Sequence, residues 1–428
     1  MGARVKNIIV CCDGTGNEIS ENISNVLKLY RVLRKTGKTQ PRQIVFYDPG
    51  LGTLARPNPW TKLKQDAVTV LGLATGYGLD DNILKAYRFL VNHYEEGDDI
   101  FLFGFSRGAY TVRVLAGLIH KVGLLAPEQC NLSDAALTAY KQASSAIIEQ
   151  AEQETPEAAS AQLEDQQHAQ PLTREDQASQ FARIVSTRWP TIKFLGVWDT
   201  VASVIVPRPD RFYAFSLQKL AFTQVNPSVK VFRQAIAIDE RRRMFRLEPW
   251  TEPQTFMRNR FSATNNAEPQ DSLQVWFSGV HADIGGGYAE KESGLSKFPL
   301  LWMIEEAVKY GLSISRQTVN QLAWGVQRKG SPFSYVAPDI MRDPHQSMTM
   351  GWRSLEWIPK ADKYKEWMAR RTWLSYYVPN AEPRPISPNS FIHESVLSRM
   401  KEVSHYRPIN MPEAYQVIPL LTGPEVER

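Results

Sequence analysis

Up to His281, short and unbroken apolar runs recur along the chain, each followed by a turn or by helical spacing. Asn7 to Cys12 reads as a buried strand ending in Asp13-Gly14-Thr15-Gly16-Asn17, and Gln43 to Tyr47 as a second ending in Asp48-Pro49-Gly50-Leu51-Gly52. Asp99 to Phe103, Thr191 to Trp198, Val229 to Ile238 and Ser272 to Val280 repeat the pattern. Between them, Ile83, Leu84, Tyr87, Leu90, Val91 and Tyr94 fall at helical spacing behind Asp80, a candidate N-cap. Ala109 to Val122 reads as another helix. Strands apolar at every position, alternating with helices, predict an α/β fold. Its central sheet is mostly parallel, with helices on both faces.

Two stretches depart from this rhythm. From about Pro127 to Thr187 the chain reads as an insertion, a helical and partly disordered cap over residues 127–190. Leu137, Tyr140, Ile147 and Ile148 mark one amphipathic helix behind a Ser133 cap, and Gln153 to Gln170 is polar with almost nothing large and apolar. The Pro- and Trp-rich tail, residues 330–428, has few clean periods and reads as a segment wrapping the core, with a short helix over Phe391 to Met400. The expectation is one domain of 428 residues carrying both additions.

Composition narrows the classes without choosing among them. Hydrophobic residues make up 43% and charged residues 22%, which excludes collagen-like, coiled-coil and wholly disordered chains. No apolar run approaches the roughly 18 residues that a membrane span needs. A net charge of +5 without a Lys/Arg block argues against a nucleic-acid footprint and reads as an ordinary solvated exterior, though it is compatible with an anionic lipid surface. Cys11 and Cys12, adjacent inside an apolar run, read as buried thiols rather than as a disulfide frame. The first residues run straight into a strand, leaving no room for a signal peptide, and Lys6 spoils a myristoylation pattern. Synthesis in the cytoplasm is expected, with any export left to a secretion system that reads no signal peptide.

The strongest chemical signal is Gly104-Phe105-Ser106-Arg107-Gly108, set between a strand and a helix. A nucleophilic serine needs its hydroxyl lifted on a sharp turn, and glycines two residues to either side remove side chains that would collide there. A serine alone is a weak nucleophile and needs a base and an orienting acid. His281, which ends a strand and opens the loop Ala282-Asp283-Ile284-Gly285-Gly286-Gly287-Tyr288, is the candidate base, ahead of His393 and His405. His393, before a helical run, reads as a cap or a surface residue. Asp199 and Asp239 both follow apolar strands and are alternative acids. Asp199 is preferred, because Arg241, Arg242 and Arg243 make Asp239 a natural structural ion-pair partner. An oxyanion would be held by backbone N–H groups of Arg107 and of Gly14 or Thr15. The Asp13-Gly14-Thr15 turn also invites a phosphatase reading, which fails because Cys11 stands where the nucleophilic Asp belongs. No metal-ligand or cofactor motif is present, so neither a metal nor a cofactor is expected.

Taken together, Asp13-Gly14-Thr15, Tyr47 to Thr53, Gly104 to Tyr110, Trp198-Asp199-Thr200-Val201, Ile238 to Arg242 and Val280 to Tyr288 resemble one family. It is an α/β-hydrolase domain family, formerly a domain of unknown function, that includes the catalytic domains of type VI secretion phospholipase effectors. The resemblance runs over roughly residues 5 to 410. It implies the α/β-hydrolase fold and a serine esterase or phospholipase acting on acyl esters, with Ser106, Asp199 and His281 on the triad motifs. A lipid or acyl ester would be its substrate. It leaves the secretion partner and any immunity partner unnamed. Gln234-Ala235 departs from the His-Ala common in such sequences. A thioesterase or peptidase on the same fold, and a non-catalytic hydrolase-like binding module, are the alternative readings.

A last candidate concerns substrate entry. Val204 to Pro207, then Phe212, Phe215, Leu217 and Phe222, form a dense apolar set edged by Arg208, Arg211 and Lys219. As a flap these residues would form an acyl pocket against anionic lipid, with residues Leu132 to Gln180 as the other wall. As core they would simply be buried.

Overall fold

The computed structural model describes residues 5–14, 22–50, 78–153, 176–201, 205–206, 216–217, 220–258, 261, 267–362 and 365–424. Eight strands form the central sheet: β1 (Lys6–Cys12), β2 (Arg42–Asp48), β3 (Asp99–Phe105), β4 (Ile192–Trp198), β5 (Val231–Ala237), β6 (Asp271–Phe277), β7 (Ser390–His393) and β8 (Tyr415–Ile418). Their spatial order is β8-β7-β6-β5-β4-β3-β1-β2, and every adjacent pair is parallel. Ile8, Val10 and Cys12 of β1 join the core on one face, Ile9 and Cys11 that on the other. Side chains alternate across a strand, so one apolar at every position must be covered on both sides.

Helix α1 (Asn25–Val32) covers one face, while α2 (Leu79–His93), α3 (Arg107–Lys121), α4 (Ser133–Gln153) and α5 (Gln177–Val185) cover the other. On the α1 face lie also α6 (Lys297–Lys309) and α7 (Arg316–Leu322). The chain leaves β1 for β2 on one side and returns to place β3 on the other. Strand order therefore reverses between β1 and β3, and α/β sheets place ligands outside the carboxyl ends of the strands at such a switch point. The segments after β1 and β3 carry Gly14 and Ser106.

The structure differs from expectation at several boundaries. Gly78, at φ 88°, holds the N-cap position of α2. Asp80 lies inside the first turn, where a carboxylate faces the positive helix end, and accepts from Lys141 Nζ at 2.8 Å. Ser133 opens α4 and donates to Cys130 O rather than capping the helix. Of the insertion, the described part is built into the helical layer: Leu137 and Tyr140 join the same core as Tyr87 and Leu115. The tail enters the sheet itself. Phe391 and Ile392, expected to start a helix, pair in parallel with Val275 and Trp276 of β6, and α8 (Glu394–Glu402) begins only after them. His393 caps that helix and is buried, so of its two readings the cap holds and the surface residue does not.

Candidate active site

Ser106 sits at φ 57° and ψ −121°, between the last residue of β3 and the first turn of α3. A non-glycine residue with positive φ is strained, and such strain persists only where the surroundings over-determine it. Here they do. A Cβ at residue 104 would lie 2.5 Å from Gly108 O, and one at residue 108 would lie 2.1 Å from Cys12 O. The two flanking glycines let β3, α3 and the end of β1 close on one another with the serine held at the apex.

Around that apex the chain assembles residues far apart in sequence. His281 Nε2 lies 2.8 Å from Ser106 Oγ, and His281 Nδ1 lies 2.5 Å from Asp199 Oδ2. His281 follows β6 at the start of the short helical turn His281–Gly285. Its ring is flanked by Phe105 and Phe245, with centroids 4.7 and 4.8 Å away. Gly285 must be glycine there, since an added Cβ would come within 1.9 Å of the Phe105 ring. Asp199, at φ 40°, directly follows β4 and is fully buried.

Asp199 is saturated with donors. Ala237 N–H and Arg384 Nη1 donate to Oδ1 at 2.9 and 2.6 Å, and Arg384 Nη2 donates to Oδ2 at 3.0 Å. Burial pushes the Asp199 pKa up. The Arg384 charge, then the hydrogen bond and charge of His281, outweigh burial and hold it well below the ordinary carboxylate range. Arg384, itself buried, is in turn raised by Asp199 against the opposing effect of burial.

Asp239, the alternative acid, lies elsewhere: its Oδ2 accepts from Gly279 N–H at 2.7 Å and from Tyr406 O–H at 2.8 Å. Burial pushes its pKa up to about 6, against the lowering by the Gly279 and Tyr406 bonds. It is not the partner of the arginine run. Glu240 takes that place, accepting from Arg242 Nη2 at 2.7 Å, and its Oε2 also receives His281 N–H at 3.1 Å.

The oxyanion candidates divide. Arg107 opens α3, so its backbone N–H has no partner within the helix. Its side chain makes no ion pair among the described residues, and burial lowers its pKa to about 10. The Gly14 N–H donates at 2.8 Å to Asp13 Oδ1. Asp13 Oδ2 meanwhile accepts from Tyr47 O–H at 2.9 Å and from Ser24 O–H. Thr15, Phe212 and Phe215 lie outside the described residues, as does the Leu217 side chain. Phe222 is described, and it is not beside Ser106. It packs on His120 and under Lys121, near the far end of α3 and about 20 Å of helix from Ser106. Gln234 accepts from Arg113, whose guanidinium lies over Phe232, so that departure from the family pattern is a packing contact.

Arg384, Glu240 and Phe245 were not singled out in the sequence. Glu240 carried a signal, since it shares the Asp-Glu-Arg-Arg run with Asp239. Arg384 carried none, standing between two prolines 185 residues beyond Asp199.

The fold is that of an α/β protein with a mostly parallel eight-stranded sheet. Residues 6–306 match the type VI secretion phospholipase effector Tle1-like catalytic domain, and the chain belongs to that family. An uncharacterised Saccharomyces cerevisiae protein, YEL023C, is 24% identical over 77% of this chain and 61% of its own length. An uncharacterised Pseudomonas aeruginosa protein of known structure is 19% identical over 73% of this chain and 47% of its own, with a TM-score of 0.35. A Tle1 effector solved bound to the VgrG spike of the type 6 secretion system is 16% identical over 68% of this chain and 53% of its own, with a TM-score of 0.32. The chain thus spans between 47% and 61% of the length of these three proteins.

Proposed function

We propose that this protein is a serine hydrolase that cleaves the acyl esters of phospholipids through Ser106, His281 and Asp199. The observation that carries the reading is the continuous chain of contacts, 2.8 Å from Ser106 Oγ to His281 Nε2 and 2.5 Å from His281 Nδ1 to Asp199 Oδ2. Membership of a phospholipase effector family supports the lipid ester over a thioester or a peptide, and export by a type VI apparatus.

In this mechanism Asp199 fixes the tautomer in which His281 carries its proton on Nδ1. Nε2 then accepts the Ser106 proton as Oγ attacks the ester carbonyl. The imidazolium so formed is stabilised by the ionised Asp199. The negative charge on the carbonyl oxygen falls to the Arg107 N–H and to a second backbone donor just after Asp13, for which Gly14 and Thr15 are the candidates. His281 returns the proton to the departing alcohol, and water, deprotonated by the same nitrogen, releases the acyl group.

The test is turnover of phospholipid and of a short nitrophenyl ester, with fluorophosphonate labelling alongside. Ser106→Ala should lose about 10³-fold or more in kcat, and all labelling, while keeping its fold. A folded Ser106→Ala protein retaining most of its activity would remove the serine from the chemistry. Labelling without lipid turnover would move the substrate to another acyl class.

A further inference from the structure

Residues 350–378 break the ordinary rule for a protein surface. The helix Met350–Glu356 leads into a hairpin whose two-residue strands, Lys360–Ala361 and Tyr376–Tyr377, pair antiparallel. Where the connection between them rejoins the second strand, Trp373 and Tyr376 exchange backbone hydrogen bonds of 2.7 and 2.9 Å around Leu374 and Ser375, at φ 46° and 64°. Such a two-residue turn with both φ positive calls for Asn-Gly. This one uses leucine, 73% exposed, beside a tryptophan 78% exposed. Met350 and Met368 are 79% and 81% exposed, and Trp357 and Ile358 extend the same apolar set. A leucine in a left-handed turn contributes no buried area to offset its strain, which points to a role outside the fold.

The base beneath this surface is firmly built. Glu356 and Glu382 are buried; Glu356 accepts from Arg243 N–H at 2.6 Å, and Glu382 pairs with Arg246 at 2.8 Å. The Tyr377 hydroxyl donates to Glu382 at 2.9 Å. Exposure of the tip is therefore not a loose end. Charge favours one kind of partner. Between Met350 and Val378 stand six Lys and Arg against three Asp and Glu. Glu356 is spent on the Arg243 backbone, Glu366 lies 3.3 Å from Arg246, and Asp362 accepts from Thr372 at 2.8 Å. The exposed Arg353 and Arg371 have no carboxylate partner among the described residues.

We infer that this face is a docking surface for an anionic phospholipid bilayer, with Trp373 and Leu374 seated among the acyl chains and Arg353 and Arg371 on the headgroups. Tryptophan at the headgroup level and arginine over anionic lipid is how an interfacial element holds itself to a membrane. The surface also lies next to the candidate site. Trp352 packs edge-on to Phe245 at 5.5 Å, and Phe245 packs edge-on to His281 at 4.8 Å. The purpose of docking rests on the lipid reading proposed above, but its observations are separate.

The experiment uses the full chain carrying Ser106→Ala, sedimented with phosphatidylglycerol-rich vesicles, so that binding is read without turnover. In that background Trp373→Asp with Leu374→Asp should weaken binding at least about tenfold, and Arg371→Ala should flatten its salt dependence. With Ser106 intact, the same tip changes should leave hydrolysis of a soluble short ester within about twofold of the parent. Leu374→Asn is the folding control, because Asn suits the left-handed turn. It should keep or raise Tm and still weaken binding. Vesicle binding unchanged by both tip variants would overturn the proposal. So would a tip-dependent dimer with no vesicle binding, which would make the face a contact between copies. Failure of the hydrolase reading would appear instead as an active Ser106→Ala protein, with vesicle binding untouched.

Discussion

Two aspartates end neighbouring parallel strands of one sheet, and their surroundings turn them into opposite acids. Asp199, after β4, meets a guanidinium, an imidazole and a backbone N–H; Asp239, after β5, meets a backbone N–H and a phenol. Burial acts on both in the same direction. At Asp199 the charge of Arg384, with His281, outweighs that effect, whereas at Asp239 the weaker pull of Arg399 does not, so Asp199 stays ionised where Asp239 rises to about 6. An apolar strand ending in Asp is thus no sign of an acid's role. The role is set by which cation the rest of the chain delivers.

The comparison is broken most directly by neutralising each carboxylate. Asp199→Asn should lower kcat by roughly 10³- to 10⁴-fold, because the amide no longer selects the Nδ1–H tautomer or stabilises the imidazolium. Asp239→Asn should leave kcat within about threefold, since Asp239 bonds Gly279 and Tyr406 and not the imidazole. Initial rates on a soluble ester decide between them. The opposite ranking would transfer the orienting role to Asp239.

Arg384 sharpens the contrast from the other side. Arg384→Met leaves Asp199 buried without its cation, and breaking a buried pair in this way costs about 3–5 kcal/mol. That loss appears in urea denaturation. The more specific readout is the pH–rate profile. Without the guanidinium, burial should carry the Asp199 pKa upward, so activity should begin to fall at a higher pH on the acid side. Arg384→Lys, which keeps a charge but not the fork, should recover part of that shift. A profile unmoved in Arg384→Met would make Arg384 a packing residue only.

The fold was legible because its strands are apolar at every position, and that pattern survives in any short window. The strand ends at Ser106, Asp199 and His281 were legible for the same reason, each standing where a run stops. Whatever depends on a distant partner was not. Arg384 reaches Asp199 across 185 residues, and no local period marks it. Phe391 and Ile392 looked helical because the helix after them is clean, whereas their strand exists only through β6. Phe222 showed the limit of composition: an aromatic among aromatics said nothing about which end of α3 it would cover. The Asp239 ion pair failed by one residue, because a run of arginines names a carboxylate neighbourhood without choosing Asp239 or Glu240.

The smallest effect tests the protonation of Asp239 itself. Its pKa rises from an ordinary 3.8 to about 6 in the fold. Between those values the folded chain keeps a proton that the unfolded chain has released. Stability therefore falls as pH rises through the window, then levels off above about 6. Asn at this position can still accept from Gly279 N–H and Tyr406 O–H, but it cannot ionise. Asp239→Asn should match the parent near about pH 4 and exceed it by roughly 1–2 kcal/mol near about pH 7. Urea denaturation of both proteins across that range measures the gap, in the Ser106→Ala background if turnover products interfere. Asp199 predicts the reverse slope: its contribution is present above about pH 4 and is lost as pH falls below the ordinary carboxylate range. A gap at Asp239 that does not change with pH would mean that its carboxyl ionises as readily in the fold as outside it. The two strand ends would then differ in their partners but not in their acidity.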